Sequence, residues 1–327
     1  MDYVTVGSTG VQVSRLCFGT MSFGTEADEH TSAQMFHRCR DVGLNFFDTA
    51  DVYGQGRSEE ILGGLISECR DEVVITSKVF FPTGPDVNAQ GLSRRHIVRA
   101  VDASLKRLGT DWIDFYFAHA FDERTSIEET VDAFEHLQQQ GKILYPAVSN
   151  WAAWQITKSL GLCEREGLAR FELIQPMYNL VKRQAEVEIL PLAQSERMGV
   201  ITYSPLGGGL LTGKYGTAKR PDSGRLVENA RYADRYGAET DFVVAERFTE
   251  FAQKIGVKPA TLAVAWVMSH PAVTAPIIGA RNLSQLDDSL AALDVKMSPE
   301  LRDQITELSP SPAPATDRTE ILKGNWT

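Results

Sequence analysis

Asp48, Tyr53 and Lys78 are residues whose types and spacing could move a proton. The run Asn45-Phe46-Phe47-Asp48 is apolar up to its carboxylate, Tyr53 follows in a turn-like stretch, and a second apolar run, Val73-Val74-Ile75-Thr76-Ser77-Lys78, ends in a lysine. A phenol titrates near pH ~10, so exchanging a proton readily near neutrality asks for a shift of about three units, or ~4 kcal/mol. A neighbouring ammonium favours the phenolate and pulls in that direction. A lysine closing an apolar strand needs a partner once it leaves water, and Asp48 is the natural one. A structural ion pair would explain Asp48 and Lys78 but gives no role to Tyr53 or to His119, which follows Phe115-Tyr116-Phe117-Ala118. His119 could donate a hydrogen bond that orients a carbonyl oxygen over the phenol.

Those side chains meet only if the apolar runs are neighbouring parallel strands. Eight such runs are predicted: Leu16 to Gly19, Leu44 to Asp48, Val73 to Lys78, Ile113 to His119, Ile143 to Asn150, Leu173 to Gln175, Val200 to Tyr203 and Thr274 to Gly279. Amphipathic segments lie between them. Ile97, Val101, Leu105 and Leu108 share one face of a helix over 93–108, and Ser126 with Glu129 has the spacing of a capping box ahead of Val131, Phe134 and Leu137. Eight strands alternating with helices predict an α/β fold closed as a (β/α)8 TIM barrel, read as one domain over residues 1–327. Residues 1–15 read as an N-terminal β-hairpin cap. Residues 207–241, rich in glycine and charge, are too long for a plain connection after the seventh strand and read as a functional loop over the rim. The Pro- and Ser-rich stretch 309–327 reads as a C-terminal tail.

In such a barrel ligands bind at the carboxyl ends of the strands. Those ends carry Gly19-Thr20-Met21, Asp48, Lys78, His119, Ser149-Asn150, Gln175, Tyr203-Ser204 and Gly279-Ala280-Arg281. Met21, Phe23, Phe80, Phe81 and Trp151 follow strand ends and could wall an apolar pocket.

The composition narrows the partners. With 43 acidic and 33 basic residues the formal charge is −10, which repels a nucleic-acid backbone. No apolar run approaches the ~18 residues of a membrane span. Cys17, Cys39, Cys69 and Cys163 are far apart, as suits buried thiols in the cytoplasm, and no histidine spacing suggests a metal. Gly54-Gln55-Gly56 resembles the start of a dinucleotide fingerprint, but Glu59 stands where its third glycine belongs. A barrel glycosidase would want a second facing carboxylate at the rim, and a Schiff-base lyase would want a neutral lysine, against which Asp48 argues.

The combined motifs resemble the aldo-keto reductases along nearly the whole chain. They are Asp48 to Gly54 with Ser58-Glu59, Thr76-Ser77-Lys78, His119 to Asp122, Val148 to Trp151, Gln175, Tyr203-Ser204-Pro205-Leu206, Gly209 to Tyr215, and Ile278 to Arg281 with Gln285. The segment Gly209 to Tyr215 is similar to the branch holding bacterial sugar-aldehyde reductases and potassium-channel β-subunits. The resemblance implies NADPH-dependent reduction of an aldehyde or ketone, with Tyr53 as general acid, Lys78 lowering its pKa, Asp48 pairing with Lys78 and His119 orienting the substrate. It further implies an NADP(H) site. Gly19, Thr20 and Met21 would edge the nicotinamide, Ser149, Asn150 and Gln175 would bond its carboxamide, and Tyr203 would stack on it, with Asp48 beneath. Ser204, Pro205, Leu206, Gly208, Lys214 and Arg225 would embrace the pyrophosphate and ribose. Gly279, Arg281 and Gln285 would take the 2′-phosphate, and Asp288 and Ser289 stand at the adenine where this branch more often has Glu and Asn. The implied partner is a small carbonyl compound; sugar aldehydes, aromatic aldehydes and ketosteroids are equally open. The same branch leaves open a cofactor-binding sensor with slow turnover that works through a protein partner.

Overall fold

A computed structural model of the chain describes residues 1–318. Two short strands, β1 (Tyr3–Thr5) and β2 (Gln12–Ser14), pair antiparallel as the expected hairpin. Eight more form a closed parallel barrel in chain order: β3 (Cys17–Gly19), β4 (Phe46–Asp48), β5 (Val74–Val79), β6 (Ile113–Ala118), β7 (Ile143–Ser149), β8 (Leu173–Gln175), β9 (Gly199–Thr202) and β10 (Ala275–Ile278), the last closing on β3. Each predicted apolar run overlaps one of these strands with ends within two residues, β5 reaching on to Val79 and β9 starting one residue early at Gly199. Four of the eight strands stop one residue before the predicted polar terminus, so His119, Asn150, Tyr203 and Gly279 sit just beyond them at the rim.

The helices α1 (Glu29–Asp41), α2 (Arg57–Ile66), α3 (Arg94–Leu108), α4 (Ile127–Gln139), α5 (Ala153–Glu166) and α6 (Ile189–Ser195) follow β3 to β8. The helix predicted over 93–108 is α3, with the Ser93 hydroxyl accepting from His96 N at its N-cap. Ser126 caps α4 through Glu129 N at 3.2 Å. After β9 come α7 (Arg225–Glu228), α8 (Ala230–Tyr236), α9 (Glu239–Lys254) and α10 (Pro259–Met268), and after β10 come α11 (Leu283–Leu290) and α12 (Pro299–Thr306).

Strand alternation sorts the core into two layers. Phe46, Phe115, Phe117, Ala147, Leu173, Ile201 and Ala275 fill the barrel interior, whereas Phe47, Ile75, Tyr116, Val148, Ile174 and Val200 point outward under the helices. Val6 and Val13 join the interior group, so the hairpin plugs the amino-terminal end of the barrel. A Cβ on Gly7 would lie 2.6 Å from the Arg197 carbonyl, which shows how tightly the plug seats. With one end stoppered, the carboxyl ends of the strands form the open mouth.

Residues 207–241 are more ordered than a loop. They hold a 3₁₀ segment, Gly207–Thr212, then α7, α8 and the start of α9. The charged residues and glycines that read as irregular are helix faces and turns, a distinction that depends on what the segment lies against. The tail predicted from 309 begins pinned, since Arg183 Nη1 donates to the carbonyls of Ser309 and Pro310 at 3.3 and 3.5 Å. Residues 319–327 of that tail lie outside the described residues. Cys17, Cys39 and Cys163 are buried free thiols and Cys69 is half-buried.

Candidate active site

The β4–β5–β6 register builds the site. Gly19 pairs with Asp48, Asp48 with Thr76, and Lys78 with Phe117. Residues two apart on a strand share a face, so Thr76 and Lys78 both point inward beside Asp48 while Ser77 points outward and donates to Glu59 at 2.5 Å. Asp48 Oδ2 accepts from Lys78 Nζ at 2.7 Å, and Oδ1 accepts from Thr76 Oγ1 at 2.6 Å and Gln175 Nε2 at 2.9 Å. Lys78 is fully buried and also donates to the Thr49 carbonyl at 2.6 Å. Two charges taken out of water are stable only with such complete pairing.

Tyr53 opens a 3₁₀ turn (Tyr53–Gly56) between β4 and α2. That turn aims the phenol back over the mouth, and Lys78 Nζ lies 3.4 Å from its oxygen. His119 stands on the other side, its ring edge-on to Tyr53 with centroids 6.0 Å apart and to Phe81 at 4.9 Å. The structure therefore brings together all four residues expected to act in catalysis.

Burial would discharge Lys78, but Asp48 and then Tyr53 outweigh it and raise its pKa above the ordinary value. For Tyr53 the balance runs the other way: burial pushes the phenol up, and Lys78 pulls it down by less. Lys78 thus acts on the phenol in the expected direction, but loss of water outweighs it and Asp48 adds to the rise, so the phenol stays protonated. Burial and then Lys78 hold His119 well below the ordinary imidazole range, so the ring is neutral. Its buried Nδ1 has no partner among the described residues.

The residues expected at a nicotinamide line the opposite rim. Ser149 donates to the Gln175 carbonyl at 3.0 Å. Asn150 donates through Nδ2 to the His119 carbonyl and to Ser149 Oγ, both at 2.9 Å, and accepts from the Tyr203 hydroxyl at 2.7 Å. Asn150 and Ser204 both hold positive φ, 58° each, a costly conformation for residues with a Cβ. Thr20 is buried, its hydroxyl 2.7 Å from that of Ser58, and Met21 faces the cleft.

A phosphate-bearing dinucleotide fits the far part of the rim by the chemistry of its donors. Gly207, Gly208 and Gly209 follow Pro205 and Leu206 with successive positive φ values of 57°, 65° and 100°, a tight turn in which the Gly207 and Gly209 amides donate to the Ser204 and Leu206 carbonyls at 2.9 and 3.0 Å. Lys214 has no carboxylate at ion-pair distance among the described residues, and burial, then Arg281, lowers its pKa. Such a cation gains from an incoming anion. Arg281 N donates to Gln285 Oε1 at 3.1 Å, beside the exposed Gly279. The two adenine candidates are less available: Asp288 is paired with Lys258 at 2.5 Å, and Ser289 is buried with its hydroxyl on the Gln285 carbonyl.

A cleft of ≈ 370 Å³ opens beside Tyr53, and it includes residues the sequence reading did not single out. Glu26, Arg225, Glu228, Tyr232 and Arg281 line it together with Met21, Val52 and Tyr53. Tyr232, on α8, lies against Gly208, where a Cβ would come within 2.7 Å of its ring. Glu26 bridges Arg225 and Arg281. An acidic residue just before a helix reads as ordinary helix-start chemistry, so nothing local marked Glu26. Of the aromatics expected to wall a pocket, Phe23 and Trp151 are buried core, packing on Phe18 and on Phe121 and Phe171. Phe80 and Phe81 are half-buried, with Phe81 against His119.

Among the described residues no helix is long and apolar enough to cross a membrane, and no group of three or more His, Cys, Asp or Glu could hold a metal. A family model for the aldo/keto reductase family matches residues 15–310. The chain is 37% identical to the uncharacterized oxidoreductase YrpG of Bacillus subtilis, over 97% of this chain and 98% of the relative. It is 39% identical to a probable voltage-gated potassium channel subunit beta of Arabidopsis thaliana, over 94% and 96%. It is 31% identical to versiconal hemiacetal acetate reductase of Aspergillus parasiticus, over 92% and 94%. With its closed barrel, its rim of Asp48, Tyr53, Lys78 and His119, and this match across the chain, the protein belongs to the aldo/keto reductase family of oxidoreductases.

Proposed function

We propose that the protein reduces an aldehyde or ketone to an alcohol, with NADPH as hydride donor and Tyr53 as the acid that protonates the carbonyl oxygen. The observation carrying this reading is the fully buried Lys78, set between the Asp48 carboxylate at 2.7 Å and the Tyr53 hydroxyl at 3.4 Å at the open end of the barrel. The bound nicotinamide supplies the hydride. The chain's own residues manage the proton. Tyr53 holds it until a carbonyl oxygen becomes basic, and Lys78 then stabilises the phenolate that remains. The Asp48, Thr76 and Gln175 network keeps Lys78 charged and fixed. Neutral His119 can donate to the carbonyl oxygen without bringing a competing positive charge. Lys214, Arg225 and Arg281 would hold the phosphates, and Ser149, Asn150 and Gln175 would hold the carboxamide.

A raised lysine pKa speaks against Schiff-base chemistry at Lys78, which needs a free amine. The free thiols suit a cytoplasmic setting. The second reading, a nicotinamide-binding subunit with slow turnover, is favoured by the likeness to relatives named as channel β-subunits. Stopped-flow oxidation of bound NADPH by a panel of sugar, aromatic and steroid carbonyl compounds separates the two. Fast single turnover with at least one of them is expected; negligible rates with all would overturn the reductase reading.

A further inference from the structure

Glu26 lies in the loop between β3 and α1, in the cleft that Tyr53 also lines, and it is tied to both arginines expected at the cofactor phosphates. Its Oε2 is 3.2 Å from Arg225 Nη2, and its Oε1 is 3.1 Å from Arg281 Nη2 and 3.4 Å from Arg225 Nε. Glu228 adds a looser contact to Arg281 at 3.9 Å. All four side chains line one cleft; Glu26, Arg225 and Arg281 are partly buried, with Glu26 33% exposed and Arg281 31%, and Glu228 is exposed. A carboxylate shared by two guanidiniums reproduces how a phosphate is gripped by arginines.

We propose that Glu26 is an internal stand-in for a cofactor phosphate: it occupies Arg225 and Arg281 until the 2′-phosphate of NADP(H) displaces it, and so moderates the preference for NADP(H) over NAD(H). This rests on the functional reading above, which places the 2′-phosphate at Arg281. The charges of the cleft argue for competition rather than assistance. Arg225 and Arg281 bring two positive charges, and Glu26 and Glu228 cancel them. A phosphate monoester brings nearly two negative charges at pH 7. With Glu26 in place it meets a site almost neutral, and it must break a two-armed ion pair to reach its donors. A dinucleotide lacking that group calls only on Arg225, through its pyrophosphate, and can leave the Glu26–Arg281 arm in place. The pair also joins α7 to the β3–α1 loop.

The test is a titration of the full chain, wild type, Glu26→Gln and Glu26→Asp, with NADP⁺, NAD⁺ and 2′-AMP, followed by calorimetry or tryptophan fluorescence. For charges this exposed, removing one competing carboxylate is expected to tighten NADP⁺ and 2′-AMP about fivefold to tenfold, with NAD⁺ changed less than about twofold. Glu26→Asp, which keeps the charge, should stay near wild type. An unchanged ratio of NADP⁺ to NAD⁺ affinity in Glu26→Gln, or weaker NADP⁺ binding, would overturn the inference while leaving the functional reading intact. Failure of the wild-type chain to bind either dinucleotide would overturn that reading, and the inference with it.

Discussion

Replacing Lys78 with methionine tests whether the catalytic centre is held together by paired charges or merely filled by side chains. Methionine keeps much of the lysine stem's volume, so the packing loss is small. What goes is the ammonium, with its bonds of 2.7 Å to Asp48, 2.6 Å to the Thr49 carbonyl and 3.4 Å to Tyr53. The Asp48 carboxylate is then left 3% exposed with only the neutral donors Thr76 and Gln175. Breaking a buried pair from one side costs about 3–5 kcal/mol. The deficit has a defined pH behaviour. Lys78 has a raised folded pKa, so its contribution is complete below the unfolded value of 10.5 and fades only as pH rises through the folded one. Urea unfolding should therefore show a deficit that does not vanish toward pH 9. The double variant Asp48→Asn, Lys78→Met leaves no unpaired charge and should recover most of it, while carbonyl reduction stays abolished in both. A deficit under about 1 kcal/mol in the single variant, or a double variant no more stable than the single, would refute the argument that charge pairing holds this centre.

Other consequences can be checked with the same protein. Tyr53→Phe should lower the single-turnover rate of carbonyl reduction by about 10² to 10⁴ while NADP⁺ affinity stays within about twofold, because the phenol is the acid and not a phosphate ligand. Since burial raises the Tyr53 pKa, wild-type reduction should keep its acid across neutral pH, and a rate limited by loss of that proton should decline only on the alkaline side. His119 has a depressed folded pKa: above the ordinary value near 6.5 both states are neutral, and below it the unfolded chain takes the proton first. It should therefore cost the wild type up to ~1.4 kcal/mol of stability per pH unit of acidification, a slope that His119→Gln removes, as urea titrations below neutrality would reveal. Asp51 is buried, neither of its oxygens has a side-chain partner, and burial and then Glu59 raise its pKa from 3.8 to about 8. A raised carboxyl pKa penalises the fold progressively from the unfolded value up to the folded one. Asp51→Asn should thus gain on wild type by about 4 kcal/mol between pH 5 and pH 8, with little difference near pH 4.

Much of this site is written locally. A strand of the type Val-Ile-Thr-Ser-Lys-Val can place Thr76 and Lys78 only on one face and Ser77 on the other, and apolar runs closed by polar residues mark where eight strands meet the mouth. That was enough to identify Asp48, Tyr53, Lys78 and His119 as neighbours before any contact was known. Three things were not readable, each for a non-local reason. The direction of the Tyr53 shift depends on how completely the closed mouth removes water, which a spacing of residues does not encode. The exclusion of Phe23 and Trp151 from the pocket follows from which aromatics the barrel turns beneath its helices. The Glu26 pair joins residues 199 and 255 positions apart, so it exists only because the barrel closes β10 onto β3 and the segment after β9 folds back across the rim. Periodicity along the chain determined which side chains face the mouth; barrel closure, by fixing distance and solvent, decided which of them pair and what charge they carry.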